Sequence, residues 1–405
     1  MTIEGHTSRS RRWCTPPPIL RDPADGLDGD TILEELPGAL GILLWQSVRD
    51  VMLWADTPPG ARRILFADGS EDRRTALLAT TDLPREVAAP VRALRDLLTT
   101  RGRTGAGTVS VSCLEIATWA AREGRLHTAV AFAQAGALAS PTFAEAALHT
   151  GIHAAAAGQR TRAETWLRRA VNVARREKDR AAYSSALVEL GRVNESRGDR
   201  ERAERFFRLA FRAGRRFAAR SARMRAAHGL FRLALGRNDP VGATQFALAA
   251  QRVYDPEAKD GRMLLLDLAR FWMDLGDVAR ARAALRRLAP SRALLSPPDR
   301  LASEALVARA FAVRGSRRNE IAAGAAAIAW GMMGEEGLAD EVRLAAALDL
   351  AHGARTAGDG SAFARARRAI LTLAPQSAYP LLAAEIARLW PPDEARRLRS
   401  MERAS

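Results

Sequence analysis

The chain has 405 residues, of which 47% are hydrophobic and 27% charged, and its formal net charge is +16. This length exceeds that of one ordinary compact domain, and the composition excludes a disordered chain. Only 6% of the residues are aromatic, whereas the abundant alanine, leucine, arginine and glutamate are good helix formers. We therefore expect an all-α protein built from several domains or from one extended array.

The cysteine content and the apolar runs narrow the class further. Cys14 and Cys113 match neither a disulfide framework nor a metal-ligand spacing. The N-terminus lacks the apolar core of a signal peptide, and the most apolar stretch, ALGILLWQSVRDVMLWA, is broken by Gln46, Arg49 and Asp50. The sequence thus predicts a cytoplasmic protein without a membrane span, a metal or another cofactor.

The positive charge comes almost entirely from arginine, because Lys178 and Lys259 are the only lysines among 62 basic residues. A net charge of this size favours an acidic partner, such as nucleic acid, an anionic surface or an acidic protein. A GC-rich genome would also produce an arginine excess, so composition leaves both causes open. The positions of individual arginines are more informative.

The first quarter of the chain differs from the rest. Residues 1–37 contain a run of prolines and turn-forming residues without periodicity, which predicts a flexible tail. Residues 38–110 form a predicted small helical region with two amphipathic helices, and Pro90 is expected to bend or divide the second one. Residues 101–108 are glycine-rich but lack a phosphate-binding pattern, so they are predicted to be a linker.

From residue 111 onwards a pattern of small residues repeats every 34 to 46 residues. A glycine or asparagine is followed five residues later by alanine and nine residues later by a larger apolar residue or alanine. Glycine and asparagine adopt the left-handed conformation of a tight turn at little cost in free energy. Each unit is therefore predicted to be a helix, a turn and a second helix. The predicted turn residues are Gly124, Gly158, Gly198, Asn238 and Gly276, with looser units near Gly315 and Ser361.

The unit around Gly198 shows why these pairs should stack. Gly191 on the first helix and Ala203 on the second allow the two backbones to approach closely, and Phe207 fills the gap between units. One such hairpin cannot bury its apolar face alone, so neighbouring pairs must pack together. We expect about seven helix pairs over residues 111–375, followed by capping helices over residues 376–405.

This pattern resembles the tetratricopeptide repeat (TPR) family, whose signature is W-x2-L-G-x2-Y, then A-x3-F, then P. The matching residues are Leu187, Leu190-Gly191 and Ala203-x3-Phe207, while Asn194 stands where the family has tyrosine. The resemblance implies an all-α, right-handed superhelical solenoid with a concave face lined by first helices. It also implies binding of peptides or proteins rather than catalysis.

Arginine recurs six residues before the turn in the later units. In the family this position faces the groove, so the resemblance implies one arginine stripe about 40 Å long, because packed helices lie about 8–10 Å apart. A guanidinium group matches carboxylate or phosphate geometry. Ion pairing on the helix surface is the alternative for three of these arginines, but Arg232 and Arg309 have no acid three or four residues away. The stripe consists of Arg192, Arg232, Arg270, Arg309 and Arg355.

Two other site hypotheses are weaker. Glu145, His149 and His153 are spaced to share one helix face and could hold zinc, but no HExxH motif or further ligand accompanies them. Some family members bind a C-terminal carboxylate through lysine and asparagine, and the corresponding positions of this chain lack both residues. The residues present there predict an apolar groove in the early units and a basic groove in the later ones. Those positions hold Leu114, Leu148, Val188, His228 and Leu266.

The sequence therefore favours a non-enzymatic cytoplasmic scaffold whose concave face binds a protein or peptide of acidic character through the arginine stripe. One alternative is a nucleic-acid-associated regulatory protein that contacts phosphates through residues 38–104 and the basic solenoid. A second alternative is an enzyme with an unrecognised site in the N-terminal region, although no motif of a catalytic nucleophile or dinucleotide site is present.

Overall fold

The computed structural model describes residues 30–65, 69–99, 105–254, 260–313 and 318–373. These residues form eighteen α-helices and two short 3₁₀ helices, and no strand occurs among them. The prediction of an all-α fold is therefore confirmed. The chain divides into two compact units, Met1–Tyr254 and Asp255–Ser405. No helix in the described ranges is both long and apolar enough to cross a bilayer.

The described part of unit 1 consists of four leading helices followed by four consecutive helix pairs. The leading helices are α1 (Asp30–Glu35), α2 (Ala39–Asp56), α3 (Ser70–Thr80) and α4 (Arg85–Thr99), with a 3₁₀ helix at Pro59–Ile64. The pairs are α5 (Ala106–Arg122) with α6 (Leu126–Ala139), α7 (Ala144–Ala156) with α8 (Arg160–Arg176), α9 (Arg180–Ser196) with α10 (Arg200–Arg216), and α11 (Arg220–Leu235) with α12 (Pro240–Arg252).

Three further pairs lie in the part of unit 2 that the structure describes. They are α13 (Gly261–Asp274) with α14 (Val278–Leu288), α15 (Pro297–Phe311) with α16 (Arg318–Met332), and α17 (Asp340–Ala357) with α18 (Gly360–Leu373). A 3₁₀ helix at Ala289–Leu294 follows α14. In both units each first helix also contacts the first helix of the next pair.

The turns between paired helices have the predicted left-handed residues. Gly124, Gly158, Gly198, Asn238 and Gly276 have φ values between 55° and 80°. In the last pair the left-handed residue is Gly358, three residues before the predicted Ser361, which lies inside α18. Gly315 lies outside the described residues.

An aspartate follows directly after four of these left-handed residues and starts the second helix. Its carboxylate accepts a hydrogen bond from the backbone N–H three residues later, at 2.8–3.0 Å. This contact satisfies one of the free amide donors at a helix N-terminus. The left-handed residue and the capping aspartate together end one helix and start the next within a few residues. The four aspartates are Asp199, Asp239, Asp277 and Asp359.

Phe207 on α10 is almost fully buried between two glycines of neighbouring first helices. A Cβ atom added at Gly191 of α9 would lie 2.5 Å from Phe207 Cε1, and one added at Gly229 of α11 would lie 2.5 Å from Phe207 Cζ. Leu167 contacts Gly151 of α7 in the same way, at 2.6 Å from an added Cβ. Phe207 therefore joins its own helix pair to the next pair, as the spacing of small residues predicts.

The helices before α5 share the core of the first pairs. Buried Trp54 of α2 and Val87 of α4 belong to the same apolar cluster as Phe132 of α6. Glu35 of α1 accepts hydrogen bonds of 2.8–2.9 Å from the backbone N–H groups of His127 and Thr128 and from the Thr128 hydroxyl. Glu35 thus caps α6, whose own N-cap residue makes no side-chain hydrogen bond.

Three predictions for the N-terminal region differ from the structure. The predicted flexible tail over residues 1–37 is helical at Asp30–Glu35. The predicted linker over residues 101–108 is shorter, because α5 begins at Ala106. Pro90 lies inside a single helix, α4, and does not divide it. Residues 1–29, residues 101–104 and the predicted cap at residues 376–405 lie outside the described residues.

The contacts of Phe207 predict the effect of Gly229→Ala. The new methyl group overlaps the Phe207 ring, so we expect a loss of about 1–3 kcal/mol in the free energy of unfolding, measured by denaturation followed by circular dichroism. Gly324→Ala in α16 is the matched control, because no atom lies within 4 Å of its added Cβ. The control should be neutral or stabilising by up to about 1 kcal/mol. Equal stability of the two variants would contradict the wedge role of Phe207.

Candidate functional site

The first helices of unit 1 expose one side each, and these sides form what we call the first-helix face. Their outward positions lie 13 and 6 residues before the turn residue and, in α5 and α7, also 9 residues before it, whereas Glu189 and Gly229 at that position of α9 and α11 are buried. Because consecutive first helices contact each other, the side chains at the outward positions lie side by side. The face comprises Val111, Glu115, Thr118 and Arg122 of α5, Glu145, His149 and Ile152 of α7, Ser185 and Arg192 of α9, and Arg225 and Arg232 of α11.

A groove of about 520 Å³ opens at the N-terminal end of this face, between α4, α5 and α7. We call it the α4–α5 groove. Thr118, which occupies the position of the arginine stripe in the first pair, is one of its lining residues. The apolar lining consists of Ala89, Pro90, Val111, Leu114 and Phe143, and the polar lining of Glu86, Glu115, Thr118, Arg122, Glu145 and His149.

The groove carries unpaired negative charge. Among the described residues, Glu86 and Glu115 have no ion-pair partner, and Glu145 contacts only His149, at 3.8 Å. Burial lowers the pKa of His149 and the nearby Glu145 opposes this shift only in part, so the imidazole is neutral at pH 7. Arg122 is the one permanent cation among the described residues of the lining. The groove is therefore acidic within a chain whose net charge is +16.

The two histidines that could hold zinc lie in two different environments. His149 lines the groove, whereas His153, one helical turn further on, is buried. The His153 pKa is lowered to about 4, mainly by burial, and its Nε2 atom has no hydrogen-bond partner within the described structure. Across the described ranges, no group of three or more histidine, cysteine, aspartate or glutamate side chains could hold a metal ion.

The two stripe arginines of unit 1 lie at the other end of the first-helix face. Arg192 is 40% exposed and lies 3.8 Å from Glu189. Arg232 of α11 is 55% exposed and lies 3.3 Å from Glu195 of α9. Arg225 of α11 pairs with the buried Glu189. Ion pairs therefore connect neighbouring first helices while both stripe arginines remain open to solvent.

In unit 2, Arg309 is part of an internal charge network. It lies 2.9 Å from Asp349 of α17 and 3.7 Å from Asp274 of α13, and it is only 20% exposed. Burial raises the pKa of the Asp349 carboxyl, although Arg309 and Arg270 act in the opposite direction. Arg309 thus links three first helices, and its acidic partners lie on other helices where a search along one helix does not find them.

The last stripe residue falls out of register. Because the left-handed residue of the final pair is Gly358, the position six residues before it is His352, and Arg355 lies nearer the end of α17. Arg270 of α13 is exposed. The stripe therefore divides into two exposed arginines in unit 1 and three arginines in different environments in unit 2.

The predicted apolar groove also needs correction. Side chains at the five positions that correspond to the carboxylate clamp are at most 8% exposed, and they pack between helices instead of forming an apolar surface. Only Leu114 among them lines the α4–α5 groove. The sequence did not indicate Glu86 or Glu115 as site residues, although Glu115 occupies a repeat position, nine residues before the turn residue. The five positions are Leu114, Leu148, Val188, His228 and Leu266.

The lowered pKa of His153 predicts a loss of stability in acid. The folded state favours neutral His153, so stability is complete above the unfolded-state pKa of about 6.5 and falls as the pH drops towards 4. We expect His153→Leu to remove about 1–3 kcal/mol of this pH-dependent loss, measured by chemical denaturation across that range. His127→Leu, at an exposed site, should keep the wild-type profile. An unchanged profile for His153→Leu would refute this assignment.

No family model matches the chain, and no curated protein matches it. Among solved structures, the Rap conjugation gene regulator of the plasmid pLS20, in complex with the Phr* peptide, is 11% identical with a TM-score of 0.46, covering 81% of this chain and 96% of that one. The apo form of RapI is 9% identical with a TM-score of 0.47, covering 81% and 97%. The APC/C hetero-tetramer Cut9-Hcn1 is 15% identical with a TM-score of 0.41, covering 81% and 62%. Within each unit, the described helices pack in the consecutive antiparallel pairs that the TPR-like pattern of the sequence predicts.

Proposed function

We propose that the chain is a scaffold that binds an extended segment of a partner protein, or a peptide, along the first-helix face of unit 1. One observation carries this proposal: a groove and two exposed arginines lie on the same face of four consecutive first helices. Packed helices lie about 8–10 Å apart, so the face extends for roughly 30 Å. An extended chain of about ten residues covers that length.

The arginine end of the face supports an acidic stretch in the bound segment. Arg192 and Arg232 expose 40% and 55% of their side chains, and each lies within ion-pair distance of a glutamate, at 3.8 and 3.3 Å. An exposed ion pair contributes at most about 1 kcal/mol, so a ligand carboxylate can share or replace these contacts. We assign Arg309 a lesser role because it is engaged with Asp349 and Asp274, and Arg270 and Arg355 a lesser role because they belong to unit 2 and not to the first-helix face.

This proposal involves binding without a catalytic step. The groove offers one hydroxyl group, that of Thr118, which donates a hydrogen bond of 2.8 Å to the Leu114 carbonyl of its own helix. Such a bond ties the hydroxyl to the helix backbone. The other polar groups of the groove suit recognition of charge on a ligand.

A second candidate function is binding of a polyanion such as nucleic acid by the second helices. Helix α8 contains six arginines and one glutamate, and α10 contains seven arginines and two glutamates. Arg175, Arg212 and Arg215 are exposed near the C-terminal ends of these helices. Basic side chains at helix C-termini also stabilise the helix dipole, which accounts for part of this pattern.

One pair of variants separates the two functions. We expect Arg192→Glu with Arg232→Glu to weaken binding of a partner purified with the wild-type chain by about tenfold, because two charge contacts become repulsive. Arg205→Glu with Arg208→Glu on α10 should leave that affinity unchanged, since both arginines are exposed outside the first-helix face. Affinity is measured by titration calorimetry, and circular dichroism checks that the fold is retained.

The opposite result would favour the second candidate. If the α10 variant alone weakens binding, and if binding falls steeply with salt and disappears after nuclease treatment, the second helices contact a nucleic acid. Unchanged affinity in the Arg192 and Arg232 variant would contradict the proposed role of these two arginines.

A further inference from the structure

We infer that the α4–α5 groove recognises a cationic, apolar element of the bound segment: an arginine or lysine next to an apolar side chain. This inference rests on the proposed function and adds which part of the bound segment contacts which end of the first-helix face. The cationic, apolar element occupies the groove, and the acidic stretch reaches Arg192 and Arg232.

The unpaired carboxylates of the groove are the first argument. On the helix pairs further along unit 1, Glu164 contacts Arg168 and Arg197, and Glu204 contacts Arg208 and Arg237. Glu86, Glu115 and Glu145, by contrast, have no cationic partner among the described residues. Three carboxylates around one groove attract a cation and repel an anion.

The electrostatic surroundings preserve this charge. Glu86 lies in the first turn of α4, where the helix dipole stabilises a carboxylate. His149 is neutral, so it does not compensate Glu145. With Arg122 as the one permanent cation, the lining has a net charge of −2 from three glutamates and one arginine.

The apolar lining is the second argument. Ala89, Val111 and Phe143 present hydrocarbon surface between the carboxylates, and the largely buried Pro90 and Leu114 complete the apolar lining. The volume of about 520 Å³ lies within the range of small-ligand pockets, about 300–1,000 Å³. An arginine or lysine side chain can place its methylene groups on such a surface while its charge reaches a carboxylate. The groove therefore fits a cation that is accompanied by an apolar side chain.

The separation of the two ends sets the spacing within the ligand. The groove lies at α5 and α7, and the exposed arginines lie on α9 and α11. Two helix steps correspond to about 16–20 Å, which an extended chain crosses in roughly five or six residues. We expect a segment in which an apolar residue beside arginine or lysine is followed or preceded, about five residues away, by aspartate or glutamate.

A random-peptide display library, selected on the full-length chain, tests this inference. Three proteins are compared: the wild type, a groove variant carrying Glu86→Gln, Glu115→Gln and Glu145→Gln, and a matched control carrying Glu71→Gln, Glu177→Gln and Glu320→Gln at exposed sites outside the groove. Thermal denaturation of each protein checks its fold. Peptides enriched on the wild type are synthesised, and their Kd values are measured on all three proteins.

We expect wild-type selection to enrich an apolar residue beside arginine or lysine, and Kd to rise about tenfold on the groove variant as three charge contacts are lost. The control should bind like the wild type. Enriched peptides without this element, or with equal Kd on the groove variant, would overturn the inference but leave the binding scaffold intact. Absence of any enriched peptide on the wild type would overturn both.

Discussion

The contact of Phe207 with Gly191 and Gly229 is the packing constraint on which the stacking of the central pairs of unit 1 depends. A phenyl ring fits against two helix backbones only where neither carries a side chain. The same ring therefore fixes the distance between α9 and α10 and the distance from α10 to α11. Because interiors are close-packed, this contact leaves little freedom in the relative register of neighbouring first helices.

The register that packing fixes on the buried side of each first helix also determines which side chains are exposed on its opposite side. Positions 13 and 6 residues before each turn of unit 1 are at least partly exposed, so the first-helix face follows from the same repeat that builds the core. Ion pairs from Arg225 to Glu189 and from Arg232 to Glu195 link first helices on this outer side. In unit 2 the pair formed by Arg309 and Asp349 has the same effect. The apolar wedge and the ion pairs therefore hold successive first helices from two sides.

The repeat was predictable because its determinants are local. A left-handed glycine or asparagine, small residues at fixed distances and a large apolar residue nine positions on define one helix pair without reference to distant residues. The error at Ser361 shows the limit of this approach, since Gly358 supplies the left-handed residue and Asp359 the cap.

The features that the sequence did not reveal are those that depend on contacts between distant helices. Asp349 lies 40 residues from Arg309, and Glu35 reaches α6 from a segment expected to be a tail. The α4–α5 groove combines repeat positions with Glu86 and Pro90 of a helix that has no place in the repeat. The charged positions along one helix could be predicted from the sequence, whereas their ion-pair partners on neighbouring helices could not.

The central claim is that a partner segment lies on the first-helix face, and site-specific photo-crosslinking in the source cells tests it most directly. A benzoylphenylalanine replaces Val111, which is 46% exposed in the α4–α5 groove, or in a second variant Leu209, which is 40% exposed on α10. Mass spectrometry then maps the cross-linked peptide. The account predicts a defined partner segment at position 111, with arginine or lysine beside an apolar residue, and no such adduct at position 209. Absence of an adduct at position 111, or the same adducts at both positions, would contradict it.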